Sequence, residues 1–286
     1  MHASELSESF ARVVESAAGT TLTLSGGGTA AVWEGGVAIA AAHSLERAGE
    51  PRLRLPDGDT VPATVAGVDP ATDLAALRFT GPAVRPAWSD ADGLKVGHLV
   101  FAVSPARATV SIVQSLGGPW RTPAGGRVDR YVETGLGPWP GFSGSLLLDA
   151  GGRAIGLNTS GLSRRSSLAI PTATLRRVVG DLLAHGRSRR AFVGVATWPV
   201  RLDPKAAARA GQENGLLVTS VQPEGPADAA GIVLGDALLA VDGRPLARPE
   251  DLLGHLDGDR AGATATFRVL RAGEPLDVTI TLGTRS

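Results

Sequence analysis

A nucleophilic serine needs a base within hydrogen-bond reach and an acid that fixes the tautomer of that base. Gly141-Phe-Ser-Gly-Ser145 is where this chain offers the serine. Gly141 and Gly144 permit a tight turn on which the Gly141 and Ser143 amides can converge on one developing oxyanion. Glycine supplies 38 of the 286 residues, so the same stretch also reads as an ordinary turn until a base and an acid are found. Of the five histidines, His2 lies at the amino terminus, His185 ends an amphipathic run, His98 opens an apolar strand and His255 sits far downstream. His43 alone ends an apolar strand, Val37-Ala-Ile-Ala-Ala-Ala42, and begins a polar segment, where an imidazole can face a cleft. For the acid, Asp73 precedes the apolar run Leu74-Ala-Ala-Leu77, whereas Asp69 is followed by Pro70 and reads as a turn residue. His43, Asp73 and Ser143 thus occur in the order His, Asp, Ser, spaced 30 (73 − 43) and 70 (143 − 73) residues apart. That order fits a double β-barrel serine protease and opposes an α/β-hydrolase esterase, which runs Ser, Asp, His.

The elements that must carry these residues are short. Residues 5–17 place Phe10, Val13 and Val14 at helical spacing, a short amphipathic opening helix. From Thr20 to about Ile170 the chain alternates brief β-like runs with Gly, Pro and Asp, among them Thr21–Leu24, Leu74–Phe79, Leu99–Val103 and Ala154–Leu157. Many short strands with turn signals read as an all-β sandwich or a pair of barrels. Pro171 then opens a helix whose Leu175, Val178, Val179, Leu182 and Leu183 form one apolar stripe. Gly186-Arg-Ser-Arg-Arg190 reads as a solvated linker. Residues 191–284 follow as a smaller mixed α and β segment, with strands near 192–197, Leu216–Val221, Ala237–Val241, 263–270 and 275–282 and helices from Pro226 and over Pro249–Leu256.

Composition removes several alternatives. Lys plus Arg and Asp plus Glu are 28 each, so no bulk field favours nucleic acid or an anionic membrane. The absence of cysteine removes disulfides, thiolate metal sites and a cysteine nucleophile. No cofactor and no metal is expected. No stretch approaches the roughly 18 apolar residues of a spanning helix, and Met1-His-Ala-Ser-Glu-Leu-Ser lacks the basic start and apolar run of a signal peptide. The expectation from the sequence as given is a cytoplasmic chain, or a periplasmic or other extracytoplasmic one if the sequence is a trimmed piece.

Several motifs together resemble the HtrA/Deg family, trypsin-like serine proteases followed by a PDZ domain. Phe10-Ala-Arg-Val-Val-Glu15 resembles the start of that protease domain, and Gly28 through His43 its paired strands ending in the catalytic histidine. Val68-Asp-Pro-Ala-Thr-Asp-Leu-Ala-Ala-Leu77 is similar to V-D-x-x-T-D-L-A-V-L, Gly141-Phe-Ser-Gly-Ser145 to G-N-S-G-G, and Leu168-Ala-Ile-Pro171 to F-A-I-P. Phe192-Val-Gly-Val195 resembles the carboxylate-binding loop of a PDZ domain, with Leu253 on the helix of the opposite groove wall.

The resemblance implies a mostly β chain, a double six-stranded β-barrel protease domain followed by a small α+β PDZ domain. The expected boundaries are 1–186, a linker at 187–190, and 191–286. It implies a serine endopeptidase of protein quality control that cleaves misfolded or unfolded proteins through His43, Asp73 and Ser143, with the Gly141 and Ser143 amides as oxyanion hole. It implies C-terminal peptides as partners at Phe192, Val193, Gly194, Val195 and Leu253, and a homotrimer.

This chain also departs from the family pattern. Phe142 replaces Asn, with a ring expected to narrow the cleft, and Ser145 and Leu146 replace Gly and Pro. The primary pocket is expected to involve Pro138, Trp139 and Leu168, with Trp139 either core or cleft wall, and to prefer small or medium apolar side chains. Arg164 and Arg165, if they point inward, oppose basic substrates. The departures leave open a catalytically weak or inactive protease-like chaperone or peptide-binding protein.

Overall fold

Alternation of short apolar strands with glycine turns closes two barrels rather than one open sheet. The computed structural model describes residues 3–137, 139–163, 166–189, 191–256 and 258–284. The chain divides into two compact units, Met1–Ser188 and Arg189–Ser286.

In the first unit, one closed barrel runs Thr21–Leu24, Gly28–Glu34, Val37–Ala41, Leu74–Phe79, Thr60–Asp69 and Arg52–Arg54 around its circumference. The ladder from Thr23 to Arg54 closes it. A second closed barrel runs Tyr131–Thr134, Ser167–Pro171, Ala154–Thr159, Leu146–Asp149, Leu99–Ser104 and Arg107–Gly117. The interior of the first is filled by Leu22, Leu24, Val32, Leu53, Leu77 and Phe79, and that of the second by Val100, Val113, Leu136, Phe142, Leu147 and Ile155. Closure leaves no unpaired edge within either barrel.

A third apolar cluster joins the two barrels. Ile39, Leu74, Phe101, Leu146 and Leu157 point outward from their strands and meet the buried stripe Leu175, Val178, Val179 and Leu182 of the helix Thr172–His185. Pro171 stands at its N-cap, one position before the first helical residue. The opening helix spans Ala3–Glu15 and closes over the second barrel, its Phe10 ring edge-on to Phe101 at a centroid distance of 5.2 Å. Burying both barrel exteriors against each other is what brings side chains from the two into one cleft.

The second unit is a sheet in the order Val195–Arg201, Asn214–Val221, Ala237–Val241, Thr264–Arg271, Glu274–Thr281. Its core holds Leu216, Val218, Leu238, Phe267, Val269 and Ile280. The helix Pro249–Leu253 packs against the edge strand Val195–Arg201. It is shorter than the apolar spacing to Leu256 suggests. Gly254 caps it, and His255 and Leu256 continue only as turns, their amides donating to Leu252 and Leu253.

Candidate active site

His43 reaches the cleft on a short helix, Ala42–Leu45, that follows the strand Val37–Ala41. Asp73 sits one residue before the neighbouring strand Leu74–Phe79, with φ 58, a left-handed conformation rare outside glycine. That kink turns its carbonyl to the Ala42 amide (3.0 Å) and its carboxylate to His43. The carboxylate accepts from the His43 amide at 3.0 Å and lies 2.8–2.9 Å from Nδ1. The Thr159 hydroxyl, from the second barrel, donates to Oδ2 of the same carboxylate. Asp73 is 5% exposed, so these donors replace the water it has lost. A carboxylate on Nδ1 fixes the tautomer that leaves Nε2 facing the cleft as an acceptor. Asp69, the competing acid, accepts from the Ala71 amide and the Thr72 hydroxyl and organises the turn, as its following proline suggests.

Gly161 packs directly on the pair. A Cβ built there falls 2.4 Å from Asp73 Oδ2 and 2.7 Å from His43 Nδ1, so only hydrogen fits. Ser143 approaches from the same strand end. Its Oγ is 3.0 Å from Ser160 Oγ and accepts from the Ser160 amide at 3.1 Å. Among the described residues these are its only side-chain hydrogen bonds, and neither involves His43. Beside the pair, His43, Leu45, Val65, Val68, Pro70 and Gly161 line a cleft of about 520 Å³.

The loop that presents Ser143 is held from both barrels. Thr29 of the first barrel donates through Oγ1 to the Gly141 carbonyl (2.7 Å) and through its amide to the Ser143 carbonyl (3.4 Å). At Gly144 (φ 89) a Cβ would lie 1.8 Å from the Thr29 carbonyl oxygen, so glycine is obligatory. Gly144 N donates to the Asn158 carbonyl and Asn158 N to the Ser145 carbonyl, both at 2.9 Å. The Gly141 and Ser143 amides carry no hydrogen-bond partner among the described residues. Amides of the serine and of the residue two before it are the donors that an oxyanion site requires.

The departures at 142 and 145 lie inside the protein. The expectation that the Phe142 ring narrows the cleft is corrected: Phe142 is 1% exposed and belongs to the second barrel's interior, edge-on to Trp139 at 4.9 Å. Its apolar ring is drawn into that core, where an asparagine would carry unpaired polar atoms. Trp139 is partly buried against the same cluster. Ser145 is fully buried; its hydroxyl donates to the Phe142 carbonyl at 2.6 Å and accepts from Asn158 Nδ2 at 3.1 Å. Leu146 is fully buried in the cluster between the barrels. Leu168 is 3% exposed and pairs with Glu133 and Thr159 in the barrel ladder. Pro138, Arg164 and Arg165 lie outside the described residues, as do His2 and Arg190.

Sequence reasoning did not single out Thr159, Ser160, Thr29 or Asn158. The signal available was a polar triplet, Asn158-Thr-Ser160, ending the otherwise apolar strand that begins at Ala154.

In the second unit, Phe192 pairs with Gly283, and a Cβ built at Gly194 would lie 3.4 Å from its ring. Val193 is buried and Val195 packs partly on the core. The Val193 and Gly194 amides carry no partner among the described residues, and Gly194 adopts φ 86. Leu252 is buried in the core whereas Leu253 is half-buried beside it. Among the described residues no cluster of His, Asp and Glu could hold a metal ion, and no helix is long and apolar enough to cross a membrane.

Comparison with known proteins bears on the fold and its domains. Residues 28–157 match the trypsin-like peptidase domain and residues 200–282 the PDZ domain. The chain is 33% identical over 241 residues to a probable periplasmic serine endoprotease, DegP-like, of Brucella suis biovar 1 (strain 1330), covering 80% of this chain and 46% of that protein. It is 32% identical over 255 residues to a protein of the same description from Ectopseudomonas mendocina (strain ymp), covering 85% and 53%. The chain thus spans about half the length of the curated relatives it matches. Among solved structures, the HtrA-type protease AlgW with decapeptide superposes with a TM-score of 0.76 at 25% identity, covering 97% of this chain and 99% of that one. The same protease with tripeptide gives 0.72 at 27% identity, covering 97% of each. With two closed six-stranded barrels preceding a PDZ domain, the chain belongs to the HtrA/Deg family of trypsin-like serine proteases.

Proposed function

We propose that this chain is a serine endopeptidase acting on unfolded polypeptides, with Ser143 as nucleophile, His43 as general base and Asp73 as the residue that orients His43. His43 Nε2 takes the Ser143 proton as Oγ attacks a peptide carbonyl, then returns it to the leaving amine. A water activated in the same way releases the acyl group. The Gly141 and Ser143 amides hold the oxyanion, each worth about 3 kcal/mol of barrier. The observation that carries this reading is a buried aspartate holding Nδ1 of His43 and itself bonded by Thr159, the neighbour of the Ser160 that touches the Ser143 hydroxyl. Trp139 and Leu168, the described candidates for the primary pocket, are apolar, which favours cleavage after small or medium apolar side chains.

Ser143→Ala is expected to reduce casein cleavage to background, with unchanged urea unfolding and unchanged peptide binding by the second unit. A fluorophosphonate probe is expected to label the wild type and spare that variant. Equal casein turnover by the two proteins would refute the assignment. A second reading, a weak or dormant protease-like chaperone, is favoured by one observation: the Ser143 hydroxyl rests on Ser160 rather than on His43. Labelling that stays absent with substrate and with C-terminal peptides present would decide for it.

The second unit is read as the receptor of a polypeptide C-terminus, its carboxylate taken by the amides of Val193, Gly194 and Val195 with Phe192 and Leu253 as neighbours. The relatives, described as periplasmic, favour a periplasmic or other extracytoplasmic setting. A homotrimer is consistent with exposed Leu99 and Ile112, which face each other across the second barrel's ladder. Multi-angle light scattering tests it.

A further inference from the structure

Among the described residues, strand Val195–Arg201 has a ladder partner on one side only, Asn214–Val221. Which of its amides face the open side follows from two hydrogen bonds. Leu202 donates to the Glu213 carbonyl at 2.8 Å, and antiparallel pairs alternate, so Val200 with Gly215 and Trp198 with Leu217 are hydrogen-bonded pairs. Beyond the irregularity at Ala196 and Thr197, Gln222 donates to the Gly194 carbonyl at 2.8 Å, which makes Ala196 with Ser220 the next such pair. The open edge is therefore presented by Val195, Thr197, Pro199 and Arg201. Val195 and Thr197 offer both an amide and a carbonyl. Pro199 offers a carbonyl alone, because proline has no N–H.

An extended peptide joining this edge antiparallel, with its carboxylate on the amides of Val193, Gly194 and Val195, sets its last residue opposite Val195. Its third residue from the end then lies opposite Thr197 and its fifth opposite Pro199. The fourth from the end lies opposite Trp198, on the same face of the extended sheet. Trp198 is 68% exposed on that face, and its ladder partner there, Leu217, is half-buried. The second from the end meets only exposed Ala196.

We propose that Trp198 and Pro199 set the specificity of the second unit: an aromatic side chain four residues from a free C-terminus is selected by the indole of Trp198, and Pro199 ends productive pairing at the fifth residue. This rests on the C-terminal peptide reading given above. Opposed aromatic pairs on an open sheet face contribute about two- to fivefold in affinity. The fifth peptide residue finds no amide donor at Pro199, and the next outward-facing amide on the edge is that of Arg201, at the strand end.

The test is fluorescence anisotropy of labelled synthetic peptides on the full chain. One set carries Trp or Ala four residues from the end, each as free acid and as carboxamide; a second set runs from four to nine residues. The wild type is expected to prefer Trp over Ala by two- to fivefold, with affinity level beyond five residues. Trp198→Ala is expected to lose the preference, Trp198→Phe to keep most of it, and Pro199→Ala to gain affinity with length. A Trp preference unchanged in Trp198→Ala, or wild-type affinity that keeps rising past five residues, overturns the proposal. Carboxamides that bind as tightly as acids overturn instead the C-terminal reading beneath it.

Discussion

Among the described residues the Ser143 hydroxyl has two hydrogen-bond partners, the hydroxyl and the amide of Ser160, and on the proposed mechanism it must turn from them toward His43. A substrate strand entering beside Ser160 competes for that amide, so binding itself would free the nucleophile. Removing one neutral hydrogen bond shifts such an equilibrium by about 1 kcal/mol, roughly fivefold. Ser160→Ala is therefore expected to react about fivefold faster with a fluorophosphonate probe in the absence of peptide; a slower rate would mean that Ser160 supports the active arrangement instead. Thr159 acts through Asp73. Thr159→Val keeps its shape but leaves a buried carboxylate one donor short, and kcat is expected to fall about tenfold with KM unchanged. An unchanged kcat would remove Thr159 from the positioning apparatus. The pairing of His43 with Asp73 was legible because each is a polar residue that borders an apolar run. Ser160 was not, because its significance lies in a rotamer of Ser143, and no local pattern encodes a rotamer. Phe142 was misread for a related reason: a bulky residue beside a nucleophile faces either the cleft or the core, and burial alone decides.

At the scale of elements, the nucleophile loop is defined by a contact across the two barrels. Gly144 passes so close to the Thr29 carbonyl that any Cβ would overlap it, and its φ is 89. Gly144→Ala is expected to cost more than about 3 kcal/mol in urea unfolding, through backbone strain and a displaced strand together. Gly118→Ala serves as control, since nothing lies within 4 Å of its Cβ position. A Gly144→Ala protein as stable as that control would contradict the packing described. Short runs joined by turns signalled a barrel architecture, but not the strand order, because Val37–Ala41 pairs with Leu74–Phe79 and Leu99–Ser104 with Leu146–Asp149, partners distant in the chain. The ends of elements were less legible. Pro249–Leu253 stops at a glycine although its leucine spacing continues to Leu256, because the later turns pack without helical hydrogen bonds.

For the whole molecule, equal numbers of acidic and basic side chains conceal where charge is held tightly, and only the tertiary structure reveals that. In the second unit, Asp236 is 1% exposed. Burial pushes its carboxyl upward, but Arg271, bonded to both oxygens at 2.7–2.8 Å, and the Val233 amide hold it below the usual carboxylate value of 3.8. The Thr266 amide, opposed by burial and aided by Arg260 at 2.6 Å, does the same for Asp242. A carboxyl that binds protons more weakly when folded than when unfolded stabilises the fold above its unfolded pKa, near 3.8, and that contribution drains away as pH falls through the lower, folded value. Arg271→Ala leaves a buried carboxylate with one amide donor and is expected to destabilise the full chain's second unit by about 2 kcal/mol at pH 7. As pH falls through the folded value and the carboxyl takes up its proton, the gap between variant and wild type is expected to shrink. Urea unfolding at pH 7 and pH 3, read by hydrogen exchange over residues 231–242 and 264–271, measures it. A gap that is the same at both values would show that Arg271 acts through packing and not through the Asp236 charge.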